Sequence, residues 1–101
     1  ESFVLRKSTS NTISAEFTIF PAYPNPFNPV TTIRYSVRTN GHLDLQVSDI
    51  QGRLVEELVN ENIAPGNYSV LWDAGGFSSG MYFVELVFED YREVQKIIFL
   101  K

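Results

Sequence analysis

The stretch that decides the fold is TIRYSVRTNGHLDLQV, residues 32–47, in which apolar and polar residues alternate on both sides of an Asn-Gly pair. Such alternation places every second side chain on the same face, so each half predicts a strand with one buried face. The apolar positions are Ile33, Tyr35 and Val37, followed by Leu43, Leu45 and Val47. Asn40-Gly41 is the dipeptide most typical of a tight β-hairpin turn. The sequence therefore predicts that these two strands pair as a hairpin.

On either side of this stretch the chain consists of short apolar runs separated by turn residues. An apolar run at 17–20 ends at a proline, and further strands are expected at 53–59, 68–73, 81–88 and 94–100. Residues 53–60 leave a short helix open as an alternative, although it lacks capping residues. Residues 81–88 are apolar on both faces except at Glu85, which favours a central strand covered on both sides. About seven short strands predict an all-β fold, an immunoglobulin-like antiparallel β-sandwich over residues 17–101.

Two segments fall outside this alternating pattern. Residues 1–16 are polar and weakly patterned, and we interpret them as a linker or a loosely packed edge segment. The second segment is Tyr23-Pro24-Asn25-Pro26-Phe27-Asn28-Pro29. Each proline fixes its own φ and keeps the preceding residue extended, so no helix forms here. We expect a rigid, twice-turned segment in which both asparagines bond their own backbone in Asx-turns, with Tyr23 and Phe27 plugging one end of the sandwich.

Composition and charge exclude several classes of function. The chain carries a net charge of −4, and its eight basic residues are scattered. Nucleic acid is therefore not expected as a partner, because binding a polyanion requires clustered Lys and Arg. No cysteine is present, so neither disulfides nor thiolate metal sites are possible. No apolar stretch is long enough for a membrane-spanning helix.

The residues that carry catalytic chemistry are not arranged for it. The one histidine, His42, follows the Asn40-Gly41 turn, where we expect it to be exposed without the partner and cleft that proton transfer needs. No spacing pairs two carboxylates across a cleft as glycoside hydrolysis requires; the carboxylates considered are Asp44, Asp49, Asp73, Glu85 and Asp90. A calcium site in the loops stays open as an alternative, since oxygen ligands are sufficient for it. We predict a domain that is not an enzyme and has no cofactor.

Aromatic residues leave a carbohydrate-binding surface open as an alternative. Trp72, Tyr68 and Tyr82 could stack on sugar rings, but they occupy the buried phase of their strands, which favours packing in the core. Phe77 lies in the glycine-rich and serine-rich loop over 74–80, where the pattern permits exposure.

Five segments, in chain order, resemble the type A C-terminal sorting domain of the type IX (Por) secretion system. They are the proline segment followed by Thr31-Thr32-Ile33-Arg34-Tyr35; Leu45-Gln46-Val47-Ser48-Asp49-Ile50-Gln51-Gly52-Arg53-Leu54-Val55; Pro65-Gly66-Asn67-Tyr68-Ser69-Val70-Leu71-Trp72-Asp73; Ser79-Gly80-Met81-Tyr82-Phe83; and Lys96-Ile97-Ile98-Phe99-Leu100-Lys101. The resemblance covers residues 17–101. A more distant likeness to the immunoglobulin-like domain of flagellar hook-capping proteins supports the fold rather than the sorting role.

The resemblance implies a targeting signal, attached to an upstream cargo, that directs export across the outer membrane to the cell surface or the medium. It implies outer-membrane translocon components and a sortase as partners, with cleavage in the connector over 1–16 and attachment of the cargo to lipopolysaccharide. The candidate recognition residues are Tyr23, Pro24, Asn25, Pro26, Phe27, Asn28, Pro29, Gly80, Tyr82, Lys96 and Lys101. We expect a monomer, and we expect 94–101 to be able to dock a partner by strand addition. The alternative functions are a carbohydrate-binding module or an inert spacer of a multidomain extracellular enzyme.

Overall fold

The computed structural model describes residues 17–101, and in this range the protein consists of seven strands without a helix. The strands are β1 (Phe17–Ile19), β2 (Val30–Val37), β3 (Gly41–Asp49), β4 (Leu54–Ile63), β5 (Gly66–Asp73), β6 (Gly80–Phe88) and β7 (Tyr91–Phe99). No membrane-spanning helix is therefore found in this part of the chain. The all-β prediction is confirmed, whereas the interpretation of residues 1–16 lies outside the described residues.

The strands form two antiparallel sheets that enclose one hydrophobic core. One sheet has the order β1-β2-β5 and the other has the order β4-β3-β6-β7. The alternating positions recognised in the sequence supply the core, since Ile33, Leu43 and Val47 are among its fully buried residues. The fourth strand pairs with β3, whereas in a constant-type immunoglobulin domain it belongs to the other sheet. The predicted β-sandwich is confirmed.

The predicted hairpin around Asn40-Gly41 is wrong. β2 and β3 belong to different sheets, so their apolar faces meet across the core instead of lying side by side. Gly41 begins β3, and a Cβ built on it would lie only 2.7 Å from Cζ of Phe88. The glycine is therefore needed for the close approach of a buried ring. Alternation alone cannot reveal this, because it defines the buried face of a strand but not its neighbour.

Two tight hairpins lie elsewhere in residues 17–101. β3 and β4 are joined through the Asp49–Arg53 turn, and β6 and β7 through Glu89-Asp90. The helical alternative for residues 53–60 is wrong, because this range lies in β4. The register of β4 against β3 shifts at two points, where Leu58 and Val55 are the extra residues. These two β-bulges explain why strict alternation fails around Glu56-Glu57.

β6 is central in its sheet but is covered on only one face, contrary to the prediction. Tyr82, Val84, Leu86 and Phe88 are buried, whereas the alternate residues are half-buried or exposed. Met81 is 38% exposed on the outer face. The long apolar run therefore reflects an outer face that neighbouring side chains shield only in part. β7 also begins at Tyr91, earlier than the predicted position 94.

Candidate functional site

The segments that resemble the sorting domain converge at one end of the sandwich. The turn over 49–53 and the loop over 74–79 meet there, and Phe27 pairs there with Phe99. The backbone amide of Lys101 donates to Oγ of Ser79 (3.0 Å), which brings the last residue beside the loop. We call this region, made of residues 27–29, 49–53, 74–81 and 99–101, the motif end.

The proline segment reaches the motif end by running along the edge of β7. The side chain of Gln95 donates to the Phe20 carbonyl and accepts from the Ala22 amide. Farther along, the Phe27 amide donates to the Ile98 carbonyl (2.9 Å), and the Leu100 amide donates to the Phe27 carbonyl (3.0 Å). The open edge of β7 is thus occupied at Ile98 and Leu100, so the prediction that 94–101 docks a partner strand is wrong for this part of the segment.

The side-chain amide of Asn25 takes the place of a peptide group in this pairing. Its Nδ2 donates to the Lys96 carbonyl (3.1 Å), and its Oδ1 accepts from the Ile98 amide (3.0 Å). The expected Asx-turns are therefore not formed, because Asn25 bonds another strand and the side chain of Asn28 has no hydrogen-bond partner among residues 17–101. The three X-Pro bonds within the proline segment, at Pro24, Pro26 and Pro29, are cis.

Of the two aromatic residues expected to plug the sandwich, only Phe27 does so. Phe27 is buried, and its ring lies 5.4 Å from Phe99 and 5.7 Å from Trp72. Tyr23 instead is 75% exposed, although its backbone pairs with Thr32. Ring pairs at these separations add specific geometry to the apolar burial. Phe27 therefore anchors the segment, whereas Tyr23 is displayed on the surface.

The three aromatic residues considered for sugar stacking do not form an exposed platform. Trp72 and Tyr82 are buried and lie 5.3 Å apart, as expected for core packing. Tyr68 departs from that expectation, since it is only half-buried and stacks on Tyr35 at 5.5 Å. Phe77 is half-buried against Trp72.

The Asp-x-x-Gly-Arg unit builds a closed turn at the motif end. Oδ1 of Asp49 accepts from the amides of Gln51 and Arg53, and Oδ2 accepts from Nε of Arg53 at 3.0 Å. Gly52 has φ of 84°, in the region that favours glycine. Burial raises the pKa of Asp49, but the amides of Arg53 and Gln51 and the Arg53 side chain outweigh it and hold the pKa below its usual value. Each motif residue thus has a structural purpose.

The Ser-Gly-Met-Tyr unit positions the opposite wall of the motif end. The Tyr82 hydroxyl donates to the Ser78 carbonyl (2.6 Å), which fixes the loop to β6. Gly80 has φ of 154°, and nothing lies within 4 Å of a Cβ built there. The backbone conformation rather than crowding therefore requires glycine at this position.

A groove of about 410 Å³ lies between these two walls. Asp49, Ile50 and Arg53 line it on the side of the turn, and Phe77 and Met81 line it on the side of the loop and β6. Ile50 is 69% exposed, so most of its apolar side chain faces solvent. The groove therefore combines exposed apolar surface with a charged rim, a composition suited to contact with another protein.

His42 is exposed, as predicted, but its ring has two partners. Its nitrogens lie 2.9 Å from Oδ1 of Asn62 and 2.7 Å from Oδ1 of Asn60. The hydrogen bonds to Asn62 and then Asn60 raise the pKa of His42, because two acceptors favour the doubly protonated ring. This arrangement links β3 to β4, and neither ring partner is a nucleophile.

The carboxylates likewise have local structural roles. Asp73 accepts from the Gly75 amide (2.8 Å), and Glu85 forms an ion pair with Arg92. Burial raises the pKa of Asp44, and the negative charge of Glu57 raises it further. Oδ1 of Asp44 is buried and has no hydrogen-bond partner among residues 17–101. Within residues 17–101, no group of three or more His, Cys, Asp or Glu residues could hold a metal ion.

The predicted recognition residues are only partly brought together. Six of them lie at or beside the motif end, whereas Lys96 is exposed on β7 opposite Phe83; the six are Phe27, Asn28, Pro29, Gly80, Tyr82 and Lys101. Gly80 and Tyr82 also line the groove, but several of its other lining residues were not among the predicted recognition residues: Asp49, Ile50, Arg53, Phe77 and Met81. An apolar residue inside a polar turn, Ile50 between Asp49 and Gln51, is the sequence signal that could have found them.

Comparisons with known proteins agree with this architecture. No curated protein gives a significant match. The solved structure of dimeric latent PorU from Porphyromonas gingivalis matches with a TM-score of 0.65 at 18% identity, over 86% of this chain. This chain spans 10% of that PorU chain, and the likeness supports the fold.

The family comparison identifies the function. Residues 21–100 match the secretion system C-terminal sorting domain. Domains of this family are C-terminal signals of the type IX secretion system, so this domain directs export across the outer membrane and engages the secretion machinery. A sorting signal is not itself a catalyst. The chain therefore belongs to the family of secretion system C-terminal sorting domains.

Proposed function

We propose that the groove at the motif end is the surface that the type IX translocon reads on this domain. The observation that carries the proposal is the exposed Ile50, 69% accessible, at the rim of a groove built by two of the family-like segments. A charged rim from Asp49 and Arg53 surrounds the apolar surface of Ile50 and Met81. Recognition residues tend to be apolar anchors surrounded by polar contacts.

The candidate residues then divide into three roles. Phe27, Gly80 and Tyr82 shape the motif end through burial and backbone geometry. Tyr23 and Lys101 are exposed and available for direct contact. The prolines and Asn25 hold the segment in one conformation, which lowers the entropy lost on binding. A rigid display of this kind suits a translocon that must accept unrelated cargos through one shared signal.

The connection to the cargo forms the second part of the proposal. β1 begins at Phe17, so residues 1–16 are positioned along the chain between the sandwich and any upstream cargo. In this proposal residues 1–16 are the connector and contain the bond that a sortase cleaves. The cargo is then attached to the cell surface. The domain acts as a monomer in this scheme.

The test is export of a fluorescent protein fused in front of residues 1–101, in a bacterium that has the type IX system. The wild-type fusion reaches the surface or medium, and deletion of 23–101 retains the reporter in the periplasm. Ile50→Glu in the groove lowers the exported fraction at least tenfold. Val94→Glu is the matched control, because Val94 is 51% exposed and lies outside the groove lining.

Both variants must keep the wild-type circular dichroism spectrum and a free energy of unfolding within about 0.5 kcal/mol of the wild-type value, as expected for exposed positions. Normal export of Ile50→Glu would show that the groove is not read. Normal export after deletion of 23–101 would refute the sorting role of this domain. Mass spectrometry of the exported cargo locates the cleaved bond, and cleavage outside 1–16 contradicts the connector assignment.

A further inference from the structure

The edge strands of the two sheets differ in how they are protected against pairing with another chain. β4 carries Glu56, Glu57 and Glu61 and has two bulges, and both features discourage strand addition. The edge of β7 is covered between Lys96 and Leu100 by the proline segment. β1 is only three residues long. These are the devices by which natural sheets avoid edge-to-edge association.

β5 has none of these devices. It pairs with β2 over all eight of its residues without a register shift, and it is the outer strand of its sheet. From Gly66 to Trp72 it contains no charge and no proline. Leu71, in the second half of the strand, is 66% exposed. A regularly paired edge without charge or proline over Gly66–Trp72 is one that an aqueous protein normally protects unless a partner uses it.

The hydrogen-bond pattern shows which backbone groups this edge offers. The Ala74 amide donates to the Pro29 carbonyl (2.8 Å), one step beyond the pair Val30 and Asp73 in the β2–β5 register. Bonded and non-bonded pairs alternate along an antiparallel ladder. The even-numbered residues of β5 therefore bond to β2, and Ser69 and Leu71 direct their N–H and C=O groups away from the sheet. Among residues 17–101 no other strand pairs with that edge.

Charge on β4, the edge strand of the other sheet that contacts β5, defines the chemistry of a partner. Glu61 and Glu56 of β4 are paired with Leu43 and Val47, whose side chains are fully buried, so both glutamates occupy inward-facing positions of an edge strand. Oε1 of Glu56 accepts from the Trp72 indole nitrogen of β5 at 2.9 Å. The gap between the β4 and β5 edges is therefore acidic. Side chains of an added strand that face this gap must be basic, whereas those on the outer face lie beside Leu71.

We propose that the β5 edge docks an extended segment of the secretion machinery by strand addition, and that this segment alternates basic and apolar residues. The proposal rests on the sorting function described above. Main-chain hydrogen bonds from Ser69 and Leu71 supply the binding, and the acidic gap selects the basic phase of the incoming strand. This contact is separate from the groove at the motif end, so the two surfaces are tested independently.

The experiment uses the same reporter fused to residues 1–101. Ser69→Pro removes an N–H that points to the open edge and leaves the bonds to β2 intact, which is the position in which a sheet tolerates proline. Ser69→Ala is the matched control, because it keeps the N–H. We expect Ser69→Pro to lower export at least tenfold and Ser69→Ala to be exported normally. Leu71→Arg, which keeps the whole backbone, is expected to act like Ser69→Pro if the proline variant does not fold.

Each alternative outcome is decisive. If a folded Ser69→Pro or Leu71→Arg variant is exported at the wild-type level, the proposal is overturned. If Ile50→Glu still loses export in that case, the proposed function stands. Glu61→Lys must also reduce export, and normal export of that variant refutes the basic character of the partner strand. A wild-type dimer in light scattering that becomes a monomer in Ser69→Pro would assign the edge to a second copy of the chain and would also overturn the proposal.

Discussion

Replacing Asn25 by alanine should destabilise the domain, whereas the same change at Asn28 should not. Both asparagines are exposed residues of the same proline segment, and both precede a proline. Only Asn25 bonds across to β7, through the Lys96 carbonyl and the Ile98 amide. The pair of variants therefore isolates the side-chain amide from the backbone effects of the segment.

The magnitude follows from the two hydrogen bonds. Each contributes a net ~0.5–1.5 kcal/mol, and exposure lets water replace part of what is lost, so Asn25→Ala should cost about 1–2 kcal/mol. For a domain of this size that corresponds to a fall in Tm of about 5–10 °C. Asn28→Ala should stay within about 0.5 kcal/mol of wild type.

Urea denaturation of the domain, followed by tryptophan fluorescence, measures the difference. A third variant, Asn25→Asp, keeps the acceptor for the Ile98 amide but sets a carboxylate oxygen against the Lys96 carbonyl. At neutral pH it should be at least as unstable as Asn25→Ala, and it should recover at acidic pH, where the protonated acid can donate. Equal free energies of unfolding for Asn25→Ala and Asn28→Ala would show that the side-chain amide contributes nothing to the closure of this edge.

Three further predictions concern other positions. Gly41→Ala should cost about 1–3 kcal/mol, measured by urea denaturation, because its Cβ would meet the ring of Phe88 at 2.7 Å; stability equal to wild type would show that the ring moves aside freely. His42 should titrate by NMR above the usual value of about 6.5. Its contribution to stability should be complete below that value and disappear as pH rises through the raised pKa, whereas a titration at or below 6.5 would contradict the paired geometry. Tyr23→Ser should change the free energy of unfolding by less than about 0.5 kcal/mol, because the ring is 75% exposed, and a larger loss would place the ring in the fold.

The sequence could predict the strands and their buried faces because these depend on local alternation. Ile33 and Leu43 are buried as their pattern requires. Which strands are neighbours depends on contacts between distant residues, and here the Asn40-Gly41 pair misleads. Its glycine accommodates the ring of Phe88, a contact across 47 positions of the chain that no local pattern contains.

The candidate site was less predictable for a related reason. The resemblance of the proline segment predicts all of its residues as recognition residues. Phe27, however, is buried, and Asn25 is hydrogen-bonded to another strand. The groove depends on the meeting of the turn at 49–53 with the loop at 76–80, two segments that are separated in sequence. Only Ile50, an apolar residue among polar turn residues, marks it locally.

The proline segment protects a sheet edge, and this affects how export experiments on it must be interpreted. It supplies the hydrogen bonds that β7 would otherwise offer to another chain between Lys96 and Leu100. A substitution at Phe27 or Asn25 therefore both destabilises the sandwich and exposes strand edge, which favours aggregation in the periplasm. Such a variant would be poorly exported even if the translocon never touched the segment. Loss of export argues for direct recognition only at positions such as Tyr23 or Ile50, where the side chain is exposed and stability is expected to be unchanged.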